Sequence, residues 1–385
     1  MSTDTPVGRS LAADRTFHQL TDSGVGMKIG LLGYGTVGRE VARVLRERTL
    51  DIEVKTILRR PGKANEAGMT DNVDTILNDP DIDCIVEVMS GRDPALDYIR
   101  RALEAEKHVV TSNKAALAYD FGALHALARE RHVHLLYEGA AGGGIPWLEN
   151  IKKAVRLDEI TEIGGILNGT SNFILDRMER EALSFPEALA LAQQLGYAEA
   201  DPTADIEGID LKNKALISAS LAYRDADLCT DFPVAGLKFL TKDVMEAHRA
   251  RGKVLRLMML SRREGDRYAL GVVPVLCNTG SLEHAVKKNL NAGFLTGDVV
   301  GPLVFVGQGA GGNPTADAVV QDLIAVERRC ADTPLFDRHL THDASLLTGC
   351  GYFGDGHIET NTLAELVARA HRQPTFLAFD PARPE

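Results

Sequence analysis

Apolar and polar residues follow one another along the first half of the chain in a rhythm of short strands and longer helices. From Met27 the apolar run MKIGLL leads into a glycine turn, and Val37, Val41, Val44 and Leu45 then recur at helical spacing. Further strand-like runs lie at residues 52–58, 84–89, 108–111 and 132–138, with helical stretches such as 94–106 and 120–131 between them. This alternation predicts an α/β fold, a doubly wound parallel sheet, over residues 27–150.

The second half of the chain has a different pattern. A helix and the strand-like run EITEIGGIL are followed by several helices between Thr170 and Tyr223. One of these helices has Ser184 and Glu187 as a capping box at its start and Gly196 at its end. The runs VLRLMML, YALGVVPVL and GPLVFVG then follow without long helices between them. This order predicts a second domain of α+β type, with a mixed or antiparallel sheet, over residues 151–306.

The remaining segments are less regular. Residues 1–26 are polar without periodicity, which predicts a loose N-terminal arm. A second glycine-rich turn, GQGAGGNPTA, opens a helix that ends at about Val326. The tail, residues 331–385, shows weak patterning, with one helix around 363–370 and a turn at GYFGDG.

Composition excludes several classes of function. A chain of 385 residues exceeds the roughly 250–300 beyond which one core usually splits, and 44% apolar with 25% charged residues is typical of a globular protein. A net charge of −11 argues against nucleic acid or an anionic membrane as partner. Five scattered cysteines lack zinc-ligand spacing, and neither a signal-peptide core nor an apolar run of about 20 residues is present. We expect a cytoplasmic protein with reduced cysteines.

The first glycine turn reads GYGTVG, with Gly33, Gly35 and Gly38 at the spacing used to bind a dinucleotide. Such glycines permit a tight turn, close approach of a pyrophosphate and packing of helix on strand. The next helix N-terminus adds N–H groups and partial positive charge. Any tight turn can use glycines, but this one follows the first strand and opens the first helix, so it favours a Rossmann domain.

The residues after the second strand bear on the choice of cofactor. An acid at this point normally binds the ribose of NAD, whereas this chain has Arg59, Arg60 and Lys63. Basic residues suit the 2′-phosphate of NADP, although a solvated basic turn or an arginine lying in the phosphate pocket gives the same pattern. The sequence leaves NAD and NADP open and favours NADP.

The densest polar stretch, GYAEADPTADIEGIDLKNK, ends in a helix on which Asp210 and Lys214 are four residues apart and share one face. One interpretation is an ordinary surface ion pair. The other is catalytic, because carbonyl reduction needs an acid beside the oxygen and an amino-acid substrate needs carboxylates for its ammonium group.

Five ordered segments make the chain resemble the homoserine dehydrogenases. Residues 192–214, AQQLGYAEADPTADIEGIDLKNK, resemble the signature of that family, and the similarity spans about Met27 to Val326. The other four segments are VVTSNKAALA, EGAAGGGIP, GGILNGTSNFIL and GDVVGPLVFVGQGAGGNPTADAV. The last of them resembles a returning loop, which implies that residues 307–330 pack on the first domain. The resemblance implies NAD(P)H-dependent, reversible reduction of L-aspartate 4-semialdehyde to L-homoserine, on the route to threonine, methionine and isoleucine. Alternatives are a related oxidoreductase for another amino-acid aldehyde or amino alcohol, and a dinucleotide-sensing protein without chemistry.

The resemblance also implies roles for particular residues. Lys214 would donate a proton to the aldehyde oxygen, oriented by Asp205, while Lys114 would lie between nicotinamide and substrate. Glu199 and Asp210 would hold the substrate amino group. Further implied substrate-binding residues are Gly196, Asn168, Gly169 and Thr170. The implied cofactor-binding residues are Gly33, Gly35, Thr36, Val37, Gly38, Arg59, Arg60, Ser90, Thr111, Ser112, Lys114, Gly309 and Gly311. From the residues alone, Lys114 is equally a surface lysine at a strand end.

The turn EGAAGGGIP and the tail complete the expectations. The resemblance implies that the carbonyl groups of Glu138, Ala141, Gly143 and Ile145 bind sodium or potassium. A glycine-rich hinge between domains would give the same sequence. The resemblance further implies a homodimer joined through the sheet of the second domain. Many relatives carry a C-terminal βαββαβ module, the ACT domain, but the tail lacks that strand pattern, so we expect it to pack along the core or dimer surface instead.

Overall fold

A computed structural model describes residues 26–64 and 66–381. Residues 1–25 of the expected N-terminal arm lie outside the described residues. None of the helices in the described ranges is long and apolar enough to span a membrane.

The first sheet is parallel and has the strand order β3–β2–β1–β4–β5–β6. Its strands are β1 (Met27–Leu32), β2 (Ile52–Leu58), β3 (Met69–Thr70), β4 (Cys84–Glu87), β5 (His108–Thr111) and β6 (Leu135–Leu136). The helices around it are α1 (Thr36–Glu47), α2 (Asp74–Leu77), α3 (Ala95–Glu104), α4 (Lys114–Tyr119) and α5 (Phe121–Glu130). The predicted doubly wound α/β fold is confirmed. Two strands are shorter than predicted, because only Leu135 and Leu136 of the run 132–138 and residues 84–87 of the run 84–89 pair with a neighbour. The short strand β3 was not predicted.

The second sheet is mixed, with the order β11–β10–β7–β8–β9–β15–β13–β14, and β12 pairs with β9. Its strands are β7 (Ile160–Ile166), β8 (Lys253–Glu264), β9 (Arg267–Asn278), β10 (Leu290–Gly297), β11 (Gly301–Gln308), β12 (Thr341–His342), β13 (Thr348–Phe353), β14 (Ile358–Thr362) and β15 (Leu377–Pro381). The helices of this half are α6 (Trp147–Ala154), α7 (Gly169–Glu181), α8 (Phe185–Gln194), α9 (Thr203–Ile206), α10 (Ile209–Tyr223), α11 (Lys242–Arg249), α12 (Leu282–Ala285), α13 (Gly312–Glu327) and α14 (Leu363–Arg372). The predicted α+β domain with a mixed sheet is confirmed, and the predicted capping box at Ser184 begins α8.

The tail contains more strands than its weak pattern indicated. The predicted helix is α14, but four strands, β12 to β15, also form and join the second sheet. Leu346, Phe353, Leu363 and Leu366 pack on one face of β8 and β9. These strands contain many glycines and polar residues, so the sequence shows no clear strand pattern. They form because neighbouring strands pair with them and α14 packs on them, rather than because of local strand propensity. Over residues 331–381 the tail contains a single α-helix, and its lack of an ACT domain stays a prediction.

Helix α13 returns from the second half of the chain to the first sheet. Its apolar side chains Ala316, Val319 and Leu323 are buried against Ile29 of β1 and Val41 of α1. This return brings the second glycine-rich turn to the N-terminus of α1, as the segment 307–330 predicted. The domain limits themselves stay a proposal.

Candidate active site

The first glycine turn has the geometry of a phosphate cradle. Gly33 has φ +100°, and a Cβ on it would lie 3.0 Å from the carbonyl oxygen of Val88. A Cβ on Gly38 would overlap the carbonyl oxygen of Gly33, so helix and turn are in backbone contact. Gly35, which caps α1, faces open space. The turn and the free N–H groups of α1, including those of Thr36 and Val37, therefore fit the pyrophosphate of a dinucleotide.

The basic residues after β2 lie at the same end of the sheet. The guanidinium carbon of Arg59 is 5.2 Å from the centre of the Tyr34 ring, and the Arg59 N–H is tied to the carbonyl of Thr70. Arg60 is exposed. No carboxylate of the described residues pairs with either arginine, so both remain available to an anion.

The loops after β4 and β5 lie at the same end of the first sheet as the glycine turn, and we call the region between these loops and the turn the cofactor cleft. Ser90 is exposed and Ser112 is half-buried. Thr111 is fully buried, and its hydroxyl donates to Glu87 at 2.6 Å, so it supports these loops from behind. Sequence reasoning missed Glu87, whose only signal was an acid inside the apolar run CIVEVM.

The second glycine-rich turn packs against the turn at Gly143 and against the start of α1. A Cβ on Gly143 would overlap the carbonyl of Gly309, and the Gly144 N–H donates to the Gln308 carbonyl at 2.9 Å. Gly311 has φ +122°, and a Cβ on the following glycine would lie 3.0 Å from Thr36 Cγ2. The structure thus brings the predicted residues Gly309 and Gly311 to the start of α1.

The four residues of the predicted cation turn are buried, and the carbonyl of one of them, Ile145, already accepts a hydrogen bond. The Ile145 carbonyl accepts the Trp147 N–H at 2.7 Å, and one lone pair on that oxygen is left. The Glu138 carboxylate accepts the Leu148 and Glu149 N–H groups, at the start of α6. Burial, and then nearby Asp322, raise the pKa of Glu138 to about 8. Main-chain oxygens beside two buried acids are a donor set that suits a hard monovalent cation.

Lys214 is buried in the groove between the two halves. Its Nζ donates to the Leu167 carbonyl and to Asp210 Oδ2, both at 2.7 Å. The ammonium has three N–H donors, so one remains for a further acceptor. Burial lowers the pKa of Lys214, and Asp210 opposes that shift. The alternative of a surface ion pair is therefore wrong.

Asp210 carries a second lysine on its other oxygen. Lys114, the first residue of α4, places its Nζ 3.1 Å from Asp210 Oδ1, with about a third of its side chain exposed (35%). Burial alone would raise the pKa of Asp210, but Lys214 and Lys114 overcome it and hold that pKa well below its usual range. Asp210 in turn raises the pKa of Lys114. Lys114 is thus part of a cluster and not a free surface lysine.

Asn168 joins the acids of this cluster. Its Nδ2 donates to Asp205 Oδ1 at 2.6 Å and to Asp210 Oδ2 at 2.9 Å, while its Oδ1 caps α7 through the Ser171 N–H. Burial raises the pKa of Asp205, and the hydrogen bond from Asn168 opposes that shift. Both amide hydrogens and the amide oxygen of Asn168 are therefore occupied.

The remaining predicted substrate residues border the groove. Glu199 is exposed, and its charge contributes to the raised pKa of Lys114. Thr170 donates to the Tyr197 carbonyl at 2.6 Å. Gly169 begins α7, where a Cβ would lie 2.9 Å from the Asn289 carbonyl, and Gly196 has φ +76° after α8. An exposed acid thus lies near enough to Lys114 for its charge to act on that lysine.

Comparisons with known proteins agree on one family. The profile of the family described as homoserine dehydrogenase matches residues 146–324, and that of the homoserine dehydrogenase NAD binding domain matches residues 33–138. The chain is 38% identical over 317 residues to a homoserine dehydrogenase of Synechocystis, covering 78% of this chain and 73% of the relative. It is 35% identical to that of Bacillus subtilis over 315 residues, 78% and 72% of the two chains. The crystal structure of a homoserine dehydrogenase from Thiobacillus denitrificans superposes with a TM-score of 0.80 at 33% identity, covering 85% of this chain and 82% of the other.

Proposed function

The chain belongs to the homoserine dehydrogenase family, and on this basis we propose which of its residues carry the reaction. It is an oxidoreductase that uses a nicotinamide cofactor to reduce L-aspartate 4-semialdehyde reversibly to L-homoserine. The observation that carries the proposal is the buried cluster of Lys214, Asp210 and Lys114 beside the glycine turn. The direct test follows the absorbance of the reduced nicotinamide while the purified protein turns over aspartate semialdehyde or homoserine.

Lys214 is the proton donor in this proposal. A nicotinamide cofactor would supply the hydride for the aldehyde carbon, and the aldehyde oxygen would then need a proton to become the alcohol of homoserine. The third N–H of Lys214 is the one left by Leu167 and Asp210, and it can point at that oxygen. A pKa lowered by burial makes the ammonium a better acid near neutral pH.

Carboxylates hold the amino group of the substrate. Glu199 is exposed, and no cation of the described residues pairs with its carboxylate, so its negative charge is available to an ammonium group. Asp210 Oδ1 has one partner, Lys114, and a lone pair to spare. Asn168 has no side-chain N–H left, so we assign it the role of bridging Asp205 and Asp210 rather than donating to the substrate.

For the cofactor we propose a preference for NADP through Arg59. Arg59→Ala is expected to raise the KM for NADPH about tenfold or more and to leave the KM for NADH nearly unchanged, since a hydrogen bond to a charged group contributes about 1.5–3 kcal/mol. Initial rates with each cofactor measure this. Arg46→Ala, an exposed arginine at the far end of α1, is the matched control. Equal losses with both cofactors would assign the arginine to the shared pyrophosphate instead.

We further propose that the turn of Glu138, Ala141, Gly143 and Ile145 binds sodium or potassium through its carbonyl groups. The support is its burial and its backbone contact with Gly309. A cation there would fix the turn against the returning loop and so hold that loop over the cofactor. A cytoplasmic location stays a prediction.

The second sheet offers a surface for the proposed homodimer. Paired residues place Leu260, Gly164, Phe294 and Val304 in one row across β8, β7, β10 and β11, and this row lies beside the part of the face that the tail covers. Val304 and Val306 are 36% and 54% exposed. Exposed apolar residues in a continuous row on an edge strand favour contact with a second copy.

Val306→Asp is expected to convert the dimer to a monomer, because it places a charge inside the proposed apolar contact. Static light scattering of the wild type and the variant checks this through the molar mass. Leu157→Asp, an apolar residue 76% exposed after α6, is the control and should leave the mass unchanged. A wild-type mass of one chain at assay concentration would contradict the proposal.

A further inference from the structure

The end of β4 holds a buried carboxyl group that no role in the reaction has yet absorbed. Glu87 is fully buried, and it lies at the carboxyl end of a central strand, the edge of a parallel sheet at which ligands bind. No cation of the described residues pairs with it. Burying a carboxyl group without a cation beside it costs free energy of folding, so we expect its hydrogen bonds to serve the fold or the site.

Its hydrogen bonds link the two loops that border the cofactor cleft. Oε1 accepts the Met89 N–H at 2.7 Å and Asn113 Nδ2 at 3.4 Å, while Oε2 accepts the Thr111 hydroxyl at 2.6 Å. Thr111 Oγ1 in turn accepts the Asn113 N–H at 2.9 Å, and Asn113 Nδ2 donates to the Gly91 carbonyl at 2.7 Å. One carboxyl group therefore ties the loop after β4 to the loop after β5.

Both loops lead directly to the proposed site. The Asn113 side chain caps α4 through the Ala116 N–H at 3.1 Å, and the first residue of α4 is Lys114, whose Nζ reaches Asp210. On the other side, Val88 lies under the first glycine turn, where a Cβ on Gly33 would lie 3.0 Å from the Val88 carbonyl oxygen. Displacing Glu87 would thus move the lysine and the glycine turn together.

We propose that Glu87 is a positioning residue that sets Lys114 and the cofactor loop in register with each other. Burial raises the pKa of Glu87 to about 7, and the hydrogen bonds from Thr111, Met89 and Asn113 oppose this rise. The group is held by N–H and O–H donors alone, so its orientation depends on those two loops. The proposal rests on the role of Lys114 proposed above.

Glu87→Gln tests the proposal with little change in volume. Its amide keeps only one acceptor oxygen, so in either orientation the Thr111 hydroxyl hydrogen or the Met89 N–H loses its acceptor, which weakens the link between the loops. We expect kcat to fall and the KM for NADPH to rise, each about tenfold, and Glu87→Ala to lower kcat/KM about 100-fold, the scale of a displacement of about 1 Å. Wild-type kcat and KM in Glu87→Gln would overturn the proposal, even with a lowered unfolding temperature.

A matched control and a double variant separate positioning from a purely structural role. Asp225 is also buried and accepts two main-chain N–H groups, those of Asp227 and Leu340, but it follows the far end of α10. Asp225→Asn should lower the unfolding temperature and leave kcat and KM within about twofold of the wild-type values.

In a Lys114→Met background, Glu87→Gln should change kcat by less than about twofold, because the effects of coupled residues are not additive.

The outcomes are distinguishable. Full additivity of the two substitutions on kcat would show that Glu87 does not act through Lys114 and would overturn the proposal. Unchanged kcat in Lys114→Met alone would instead refute the role of that lysine in catalysis, and with it the premise of this inference. Wild-type turnover of aspartate semialdehyde, measured in the same series, tests the enzymatic function independently of both.

Discussion

Lys214→Met loses nearly all turnover and keeps its cofactor: this is the expected result with the largest effect. Removing a general acid typically lowers the rate by a factor of about 100 to 10,000. Methionine has a side chain of similar length without the N–H groups that reach Leu167 and Asp210. Initial rates of aspartate semialdehyde reduction give kcat, and a titration of NADPH fluorescence gives cofactor affinity.

The control for this variant lies two residues earlier on the same helix. Lys212 places its Nζ 5.3 Å from the centre of the Phe232 ring, away from the cluster. Lys212→Met should therefore retain wild-type kcat while removing the same charge from α10. Near-normal turnover in Lys214→Met would mean that another group protonates the oxygen. Lost NADPH affinity would mean that the variant has damaged the cleft itself.

The second large effect is expected for Asp210→Asn, which leaves both lysines without their counter-ion. Removing one partner of a buried ion pair lowers the free energy of unfolding by about 3–5 kcal/mol. Because Asp210 also holds both lysines in place, we expect kcat to fall by at least about 100-fold. Burial lowers the pKa of Lys214 and Asp210 opposes this, so in the variant that pKa falls further. Reduction requires protonated Lys214. The rate therefore declines as pH rises through its pKa, and the alkaline limb of the profile moves to lower pH.

A pH series of kcat for wild type and variant measures that displacement. Glu207→Gln is the matched control, because Glu207 belongs to the same acidic segment but is partly exposed and pairs with Lys238 at 3.4 Å. Its alkaline limb should coincide with that of the wild type. An unshifted limb in an active Asp210→Asn would separate Asp210 from the titration of Lys214 and would contradict the proposed electrostatics.

Most of the fold could be predicted because strongly periodic segments carry their own signal. The first sheet apart from β3 follows from apolar spacing and a glycine turn, and the start of α8 follows from its capping box, whereas the return of α13 was implied by the family resemblance. Strand β10 was missed, since Leu290–Gly297 interleaves glycine and polar residues and is a strand because β7 and β11 pair with it. The strands of the tail depend in the same way on tertiary contacts.

In the site, too, features with a local sequence signal could be predicted, and features that depend on tertiary contacts could not. Helical spacing placed Asp210 and Lys214 on one face, but it could not show that the pair is buried or that the Leu167 carbonyl takes another N–H of the lysine. The partner of Lys114 lies on a distant helix, so no local pattern reveals it. Glu87 was open to detection in principle, because an acid inside an apolar strand needs partners, yet those partners came from another loop.

The return of α13 bears on the order in which the protein can assemble during its synthesis. The core of the first sheet includes Val319 and Leu323, which emerge from the ribosome only after most of the second sheet has been made. Until then Ile29 and Val41 lack part of their apolar cover. Domains that are continuous in sequence generally fold as units while the chain grows, whereas long-range closure of this kind slows folding and prolongs exposure of apolar surface. The nascent chain is therefore expected to need chaperone protection until α13 has docked.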